Sequence, residues 1–440
     1  MDMPKTNTRP RVIIIGASFA GLKAACHLSD KYGVTVIDKS PWFEFLPNIH
    51  ELISGMKTPD MLRFSNQAIV RRGGHQYLYD AVTEILPEKS QVRTRRGPNL
   101  PYDFCIICAG STINTYGVPG ADRYALPFKQ VSDCHAIHRR LNRLARIRKE
   151  FFINIVGGGL EGVEALGEIL RRFRRHQGLR ARIIERQETL LSDAPADIES
   201  VVKKHCRHYA VEFLTGESVR EISADAVTLS SGSQIKSDAT LWTAGIKPCP
   251  FLTASGLPGK SDQWVPVNEY LQHPVYDNIF AAGDAAELPD PLSKQAYHAI
   301  DMGAASAGNL IRQSTGQPLI SFTPAAKPML VSFGDLDAFL IAGKTVIAGA
   351  ALGALKEAVF QMVMTEFDQT DLWQKAFHLS TRARISGMKI IWPFLRSPSA
   401  MLRLGKIRLL RKSPPQKTTS QLKNREFIFS KRGALNSDGR

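Results

Sequence analysis

The sequence has no run of about 20 apolar residues, so a helix spanning a bilayer is not expected. The nearest stretch, Ala338–Leu355, contains Lys344 and several glycines and predicts two strands turning at Gly343-Lys344. Cysteine is scarce: six in 440 residues give neither a disulfide scaffold nor a zinc-binding spacing. Cys105 and Cys108 form a CxxC, but on an apolar strand positions three apart face opposite sides, so the pair cannot close. Both read as buried, inert thiols. A Gly-x-Ser-x-Gly elbow is missing, which leaves Ser-triad hydrolysis without support, and the histidines form no metal-ligand cluster. The first residues lack the charged-then-apolar layout of a signal peptide, so a cytoplasmic, reducing compartment is expected. Acidic residues are absent from Leu372 to Arg425. That stretch holds thirteen Lys and Arg and supplies most of the net charge of +16. Such an excess fits an anionic partner surface, nucleic acid or acidic lipid.

Two segments share one pattern of strand, Gly-rich turn, helix, strand and acid. They are Arg11–Asp38 and Phe152–Glu185. Each opens on an apolar run suited to a parallel strand buried on both faces. In a dinucleotide-binding turn the first Gly makes the tight bend, the second admits the pyrophosphate, and the third lets helix and strand pack closely. The phosphates then meet free N–H groups and the positive end of the helix dipole. In the first segment these positions are Gly16, Ser18 and Gly21, with Asp38 at 22 residues as the ribose acceptor. Ser18 departs from Gly, which is tolerable if its hydroxyl donates to a phosphate. The second segment has the full set, Gly157, Gly159 and Gly162, with Glu185 at 28 residues. A carboxylate there accepts from ribose hydroxyls and repels a 2′-phosphate, so it favours NADH over NADPH. Three further runs read as strand ends: Asp103–Gly110, Ala239–Pro248 and Asp277–Asp284. A small-residue helix is predicted over Lys294–Leu310, antiparallel strands over 325–347, and an apolar-striped helix over Ala350–Phe367. No cysteine pair lies between Asp38 and Gly74, where a disulfide reductase of this layout carries its redox pair.

The ordered motifs GASFAG, VTVIDK, FLPNIHELISG, YDFCIICAGS, VPGADRYALPFK, NIVGGGLEGVEALGE, IIER, LWTAGIKP and NIFAAGDAA resemble the two-dinucleotide-fold flavoproteins over about residues 11–310. Among these the sequence is most similar to the type II NADH dehydrogenases, single-chain NADH:quinone oxidoreductases of the membrane surface. The resemblance implies an α/β fold of glutathione-reductase-like layout, with two Rossmann-like domains. The expected organisation is an FAD-binding domain from 1–120 and 265–320, an NADH-binding domain from 121–264, a small C-terminal α+β region over 321–370, and a basic amphipathic tail over 371–440. It places FAD against Gly16, Ser18, Gly21, Asp38, Leu46, Pro47, Ala109, Gly110, Gly283 and Asp284. It places NADH against Gly157, Gly159, Gly162, Glu185, Ala244 and Gly245, with Glu164 near the nicotinamide. Gln295 and His298 fall at the acceptor face, although Ala299-Ile300 stands where the family has a polar pair. Sulfide:quinone oxidoreductases share the flavin fold but need cysteines flanking the flavin, and no cysteine here sits at such a place.

The implied reaction is hydride transfer from NADH to FAD and two-electron transfer to a quinone, with no proton pumping. A low-turnover NADH-sensing flavoprotein that binds nucleic acid is the competing expectation. Its candidate surfaces are Arg139–Lys149 and Arg171–Arg182, but both lack interleaved aromatics apart from Phe173, which argues against it. In the tail, Ile385, Met388, Ile391, Trp392 and Leu395, then Met401, Leu404, Ile407 and Leu410, recur at helical spacing among basic residues. This predicts a helix from about Ser380 to Lys412 lying in an anionic membrane face, with disorder from Ser413. The expected location is peripheral, on the inner face of the cell membrane; a homodimer is left open.

Overall fold

Short β-branched runs build two parallel sheets in the computed structural model, which describes residues 9–192, 194, 198–257, 263–367 and 407–410. In the first sheet the spatial order is Ile279–Ala281, Phe104–Ile107, Arg11–Ile15, Gly33–Asp38 and Gln76–Tyr79, all parallel. Val12, Ile14, Val36 and Ile106 are fully buried, as strands in the interior of a parallel sheet are. The second sheet repeats the plan with Ala125–Pro127, Ala239–Trp242, Phe151–Val156, Leu179–Glu185 and Val211–Thr215. The chain leaves the first sheet after Ile107, builds the second, and returns with Ile279–Ala281. At the crossing, Ser111–Ile113 pairs antiparallel with Ile246–Pro248. The fold is thus α/β with two Rossmann-type sheets.

The small-residue helix runs over Ala296–Ser314 and packs on Phe19–His27. Its composition has a steric reason: a Cβ on Gly303 would lie 2.2 Å from the Ala20 carbonyl oxygen. Beyond it, Met329–Phe333, Asp337–Ala342, Thr345–Ala348 and Arg408–Leu410 form an antiparallel sheet. The predicted turn is present, with Ala342 opposite Thr345 and Gly343 at φ +54°. The following helix spans Leu352–Phe367.

This C-terminal sheet seats on helix Leu160–Phe173 of the second unit. A Cβ on Gly167 would lie 2.4 Å from the Gly334 nitrogen, so the two backbones touch. Arg174 forks onto Asp335, with Nη2–Oδ2 at 2.8 Å. Asp337 is buried beneath the sheet and accepts from His205 Nε2 at 2.9 Å and from Arg408.

The tail reading requires correction at its end. Arg408–Leu410 is a strand, not part of a helix, with Leu410 opposite Val346 and Arg408 opposite Ala348. The sheet edge offers unpaired N–H and C=O groups there, and Asp337 captures Arg408; together these outweigh the three-residue apolar spacing. The remainder of the predicted amphipathic tail lies outside the described residues. Among the described residues no helix is long and apolar enough to cross a membrane.

Candidate functional site

The two Gly-rich turns are built alike. Gly16 has φ +104° and Gly157 φ +110°, a region that strongly favours glycine. A Cβ on Gly21 would lie 1.8 Å from the Gly16 carbonyl oxygen, and one on Gly162 1.9 Å from that of Gly157. These glycines therefore let each helix close onto its strand. The middle position differs: a Cβ on Gly159 meets nothing within 4 Å. The space there would admit a pyrophosphate, and the corresponding position in the first copy carries Ser18.

The acids are also equivalent. Asp38 accepts from the Ala17 N–H at 2.6 Å through one oxygen and from the Ser40 N–H at 2.7 Å through the other. Glu185 does the same with Gly158 at 2.6 Å and Gln187 at 2.7 Å. Each carboxylate thus fixes its turn while keeping lone pairs free for ribose hydroxyls. Burial pushes the Asp38 carboxyl up, and its two backbone bonds oppose that. The residues present fit two dinucleotides.

Strand ends from both sheets converge between the turns. Gly110, Gly245 and Gly283 all take positive φ, at +69°, +76° and +68°. Ala109 sits beside Gly110 over the first turn, where a Cβ on Gly16 would be 3.2 Å from the Ala109 nitrogen. Ala244 plays the same part over Gly157, with its nitrogen 3.0 Å from the corresponding Cβ position. Asp284 accepts from Ser111 Oγ at 2.7 Å, and Ser111 in turn accepts from Lys129 Nζ at 2.7 Å. The ammonium is 3.9 Å from Asp284 itself. Leu46 and Pro47 form a short 3₁₀ turn. The preceding Phe45 packs edge-on against Phe19 and Phe360, which ties this loop to both the first helix and the C-terminal one.

Glu164 is buried against the C-terminal region. Its carboxylate accepts from the Ser332 N–H at 2.9 Å and from Lys356, and His50 Nδ1 lies 3.4 Å away. Burial raises its carboxyl, and Lys356 counters this. Gln295 caps helix Ala296–Ser314 and donates to Ser293 Oγ at 2.9 Å. His298 is buried one turn later, and burial keeps its imidazole below the usual range. Its Nδ1 has no partner among the described residues. Gln295, His298, Met302 and Asp284 line one crevice. Lys294 holds the approach to it, donating to the carbonyls of Asp284 and Ala286 at 3.0 and 2.7 Å and lying 4.4 Å over the Trp264 ring.

Sequence reasoning missed Lys129, Ser111, Lys356, Lys294 and Glu161. Lys129, Ser111 and Lys356 act through partners distant in sequence and Lys294 through the carbonyls of Asp284 and Ala286, and none of these carries a local motif. Glu161, in the first turn of helix Leu160–Phe173, has its carboxyl pushed up to about 7. Surrounding protein is the main cause, with Glu164 and Asp284 adding to it and Lys129 opposing, although solvent still reaches the side chain. Cys105 and Cys108 are free thiols that burial raises, as an inert pair requires. Much of the basic segment from Arg171 is neutralised: Arg171, Arg174, Arg180 and Arg182 pair with Glu168, Asp335, Glu150 and Glu212.

The chain is similar to a demethylphylloquinone reductase of Synechocystis, at 27% identity over 72% of this chain and 82% of that protein. It is also similar to a type II NADH:quinone oxidoreductase of Haemophilus influenzae, at 24% over 74% and 86%. Its fold matches NDH2 of Plasmodium falciparum, solved in complex with NADH, with a TM-score of 0.77 at 17% identity, over 87% of this chain and 98% of that one. The expected kinship with two-dinucleotide-fold flavoproteins therefore holds. With a family model matching residues 10–303, the protein belongs to the pyridine nucleotide-disulphide oxidoreductases.

Proposed function

We propose that the protein is an FAD-dependent NADH dehydrogenase that passes two electrons to a quinone. The observation that carries this is the duplicated turn with its clamped carboxylate, each copy ending beside the same junction of strand ends. Two dinucleotides seated on these turns extend toward one another, as hydride transfer between them demands. The first unit, from 1–120 and 265–320, takes FAD; the second, 121–264, takes NADH; 321–370 closes the site from the far side.

Bound FAD supplies the hydride-accepting and two-electron chemistry. The chain supplies placement. Gly16, Ser18 and Gly21 present helix N–H groups to one pyrophosphate, and Gly157, Gly159 and Gly162 to the other. Asp38 and Glu185 accept from the ribose hydroxyls, and Glu185 disfavours a 2′-phosphate. Asp284, held by Ser111, faces the polar arm of the flavin, with Ala109, Gly110, Leu46 and Pro47 about it. Ala244 and Gly245 bound the second nucleotide, and Glu164, fixed by Lys356 and Ser332, stands behind the nicotinamide. Gln295 and His298 contact the acceptor; a buried neutral imidazole with a free Nδ1 can exchange a hydrogen bond with a quinone oxygen. The basic stretch after Leu372 brings this face to anionic lipid, where a lipid-soluble quinone resides.

The test is an anaerobic titration. Purified protein should show a flavin spectrum, lose it on adding NADH, and regain it on adding a water-soluble quinone. Absence of flavin would refute the assignment. Bleaching without reoxidation by quinone would leave a sensor rather than a dehydrogenase.

A further inference from the structure

One buried oxygen in the loop after Phe45 is left over. Asn48 is 1% exposed, and its Oδ1 has no hydrogen-bond partner among the described residues. An acceptor in that state is costly to bury. The other end of the same amide is fixed, because Nδ2 donates to Glu51 Oε2 at 3.2 Å. Lys57 Nζ in turn lies 3.6 Å from Glu51 and 2.9 Å from Glu357, and sits 3.6 Å over the Phe360 ring. All three of these charged side chains are buried. Turning the Asn48 amide over would set Oδ1 against a carboxylate oxygen, acceptor against acceptor. The network therefore decides which end of the amide is left to bind something else.

The loop that carries this oxygen bridges the two Gly-rich turns. At one end Phe45 packs edge-on against Phe19, with ring centroids 5.6 Å apart, and Phe19 is the first residue of the helix that follows Gly16 and Ser18. At the other end His50 Nδ1 lies 3.4 Å from Glu164, the fifth residue of the helix that follows Gly159. Pyrophosphates sit at the N-termini of these two helices. A ring system carried from the first turn toward the second therefore passes along this loop. Its surroundings suit a flat ring: Phe45 and Ile49 are buried, and Leu46 and Pro47 stand between them. The polar arm of the flavin has its own partners elsewhere, in Asp284 and the Ser111 and Lys129 that hold it.

Resting on the function proposed above, we propose that Asn48 Oδ1 accepts a hydrogen bond from the isoalloxazine ring of FAD, at N3–H, the single N–H of the oxidised ring. The buried Glu51 and Lys57 act behind it as positioning residues, because they aim the amide. Asn48 thus reads the ring itself, while Gly16, Ser18, Gly21 and Asp38 read the nucleotide arm. A flavin without a donor at that position would bind through the arm alone and leave the oxygen buried and unpaired.

The experiment uses the full-length protein, stripped of flavin and reloaded with FAD or with 3-methyl-FAD, in which a methyl group replaces the N3 hydrogen. Dissociation constants are read from the change in flavin fluorescence. The wild type should bind FAD about tenfold more tightly than 3-methyl-FAD. Asn48→Ala removes the acceptor and makes room for the methyl group, so it should bind the two nearly alike, with FAD itself weakened about tenfold. Asn48→Ser, a milder change, should shift the ratio in the same direction and serves where Asn48→Ala does not fold. Equal binding of the two flavins by the wild type overturns the inference while leaving the flavin site intact. So does a fall in affinity for both flavins with their ratio unchanged in the variants, which would assign the oxygen to a ribityl hydroxyl instead. Failure of the wild type to bind either flavin overturns the proposed function and the inference together.

Discussion

Adding the same methyl group at two helical glycines should have opposite effects. Gly→Ala inside a helix is worth about 1 kcal/mol of stability where nothing opposes it. Gly308, in helix Ala296–Ser314, is such a place, because its Cβ would meet nothing within 4 Å. Gly167 is not. Its Cβ would lie 2.4 Å from the Gly334 nitrogen and 2.6 Å from the Phe333 carbonyl carbon, both backbone atoms. Ordinary contact needs about 1 Å more, so the C-terminal sheet must lift off helix Leu160–Phe173. Overpacking of that kind costs about 1–3 kcal/mol. It also stretches the Ser332 N–H bond to buried Glu164, now 2.9 Å, which adds about 1 kcal/mol. After subtracting the helix gain, Gly167→Ala should destabilise by about 2 kcal/mol, while Gly308→Ala should stabilise by about 1 kcal/mol. A chain of several units need not unfold in one step, so the assay is hydrogen exchange read by peptide. Peptides covering 329–348 should exchange faster in Gly167→Ala and those covering 296–314 more slowly in Gly308→Ala. If Gly167→Ala protects both regions, helix propensity governs and the tight docking of sheet on helix is wrong.

Glu185→Ser or Glu185→Arg should raise kcat/KM for NADPH relative to NADH; a wild type that already uses both equally would show that Glu185 is not the ribose ligand. Asp284→Ala should lower the flavin content of the purified protein, since it removes the acceptor held by Ser111; full occupancy at unchanged affinity would count against that placement. Replacing Arg382, Arg384, Lys389, Arg396, Arg403 and Lys406 with Gln should abolish low-salt sedimentation with anionic vesicles, at roughly 1 kcal/mol lost per charge. Substitution is preferable to truncation because removing Arg408 would leave buried Asp337 with only His205 and the Ala338 N–H as partners among the described residues. Equal sedimentation of the two proteins would show that the tail is not an anchor.

The twin dinucleotide units were legible because their determinants are local. Gly16 and Gly157 bend the chain, Gly21 and Gly162 close it, and the acid follows on the next strand, all within about 30 residues. Cys105 and Cys108 were readable for the same reason, since strand alternation alone separates them. What the sequence concealed was pairing at a distance. Lys129 meets Asp284 and Lys356 meets Glu164 across more than 150 residues, and no spacing rule reaches so far. Ile407 and Leu410 share a three-residue interval with the residues before them, which reads as a helix. Their conformation is decided instead by the free edge of Thr345–Ala348 and by Asp337.

The insertion of one sheet within the other fixes the order in which the molecule can be made. Ile279–Ala281 is the edge strand beside Phe104–Ile107, and it leads directly into Gly283 and Asp284. A ribosome adding about 5–20 residues per second reaches it roughly 10–35 s after finishing Ile107. Throughout that interval the first sheet has an open edge and lacks the Gly283-Asp284 turn, while the whole of the second sheet can already emerge and fold. The second unit is thus complete before the first, into whose sequence it is inserted, and a cofactor on the first Gly-rich turn can be enclosed only after the second unit exists.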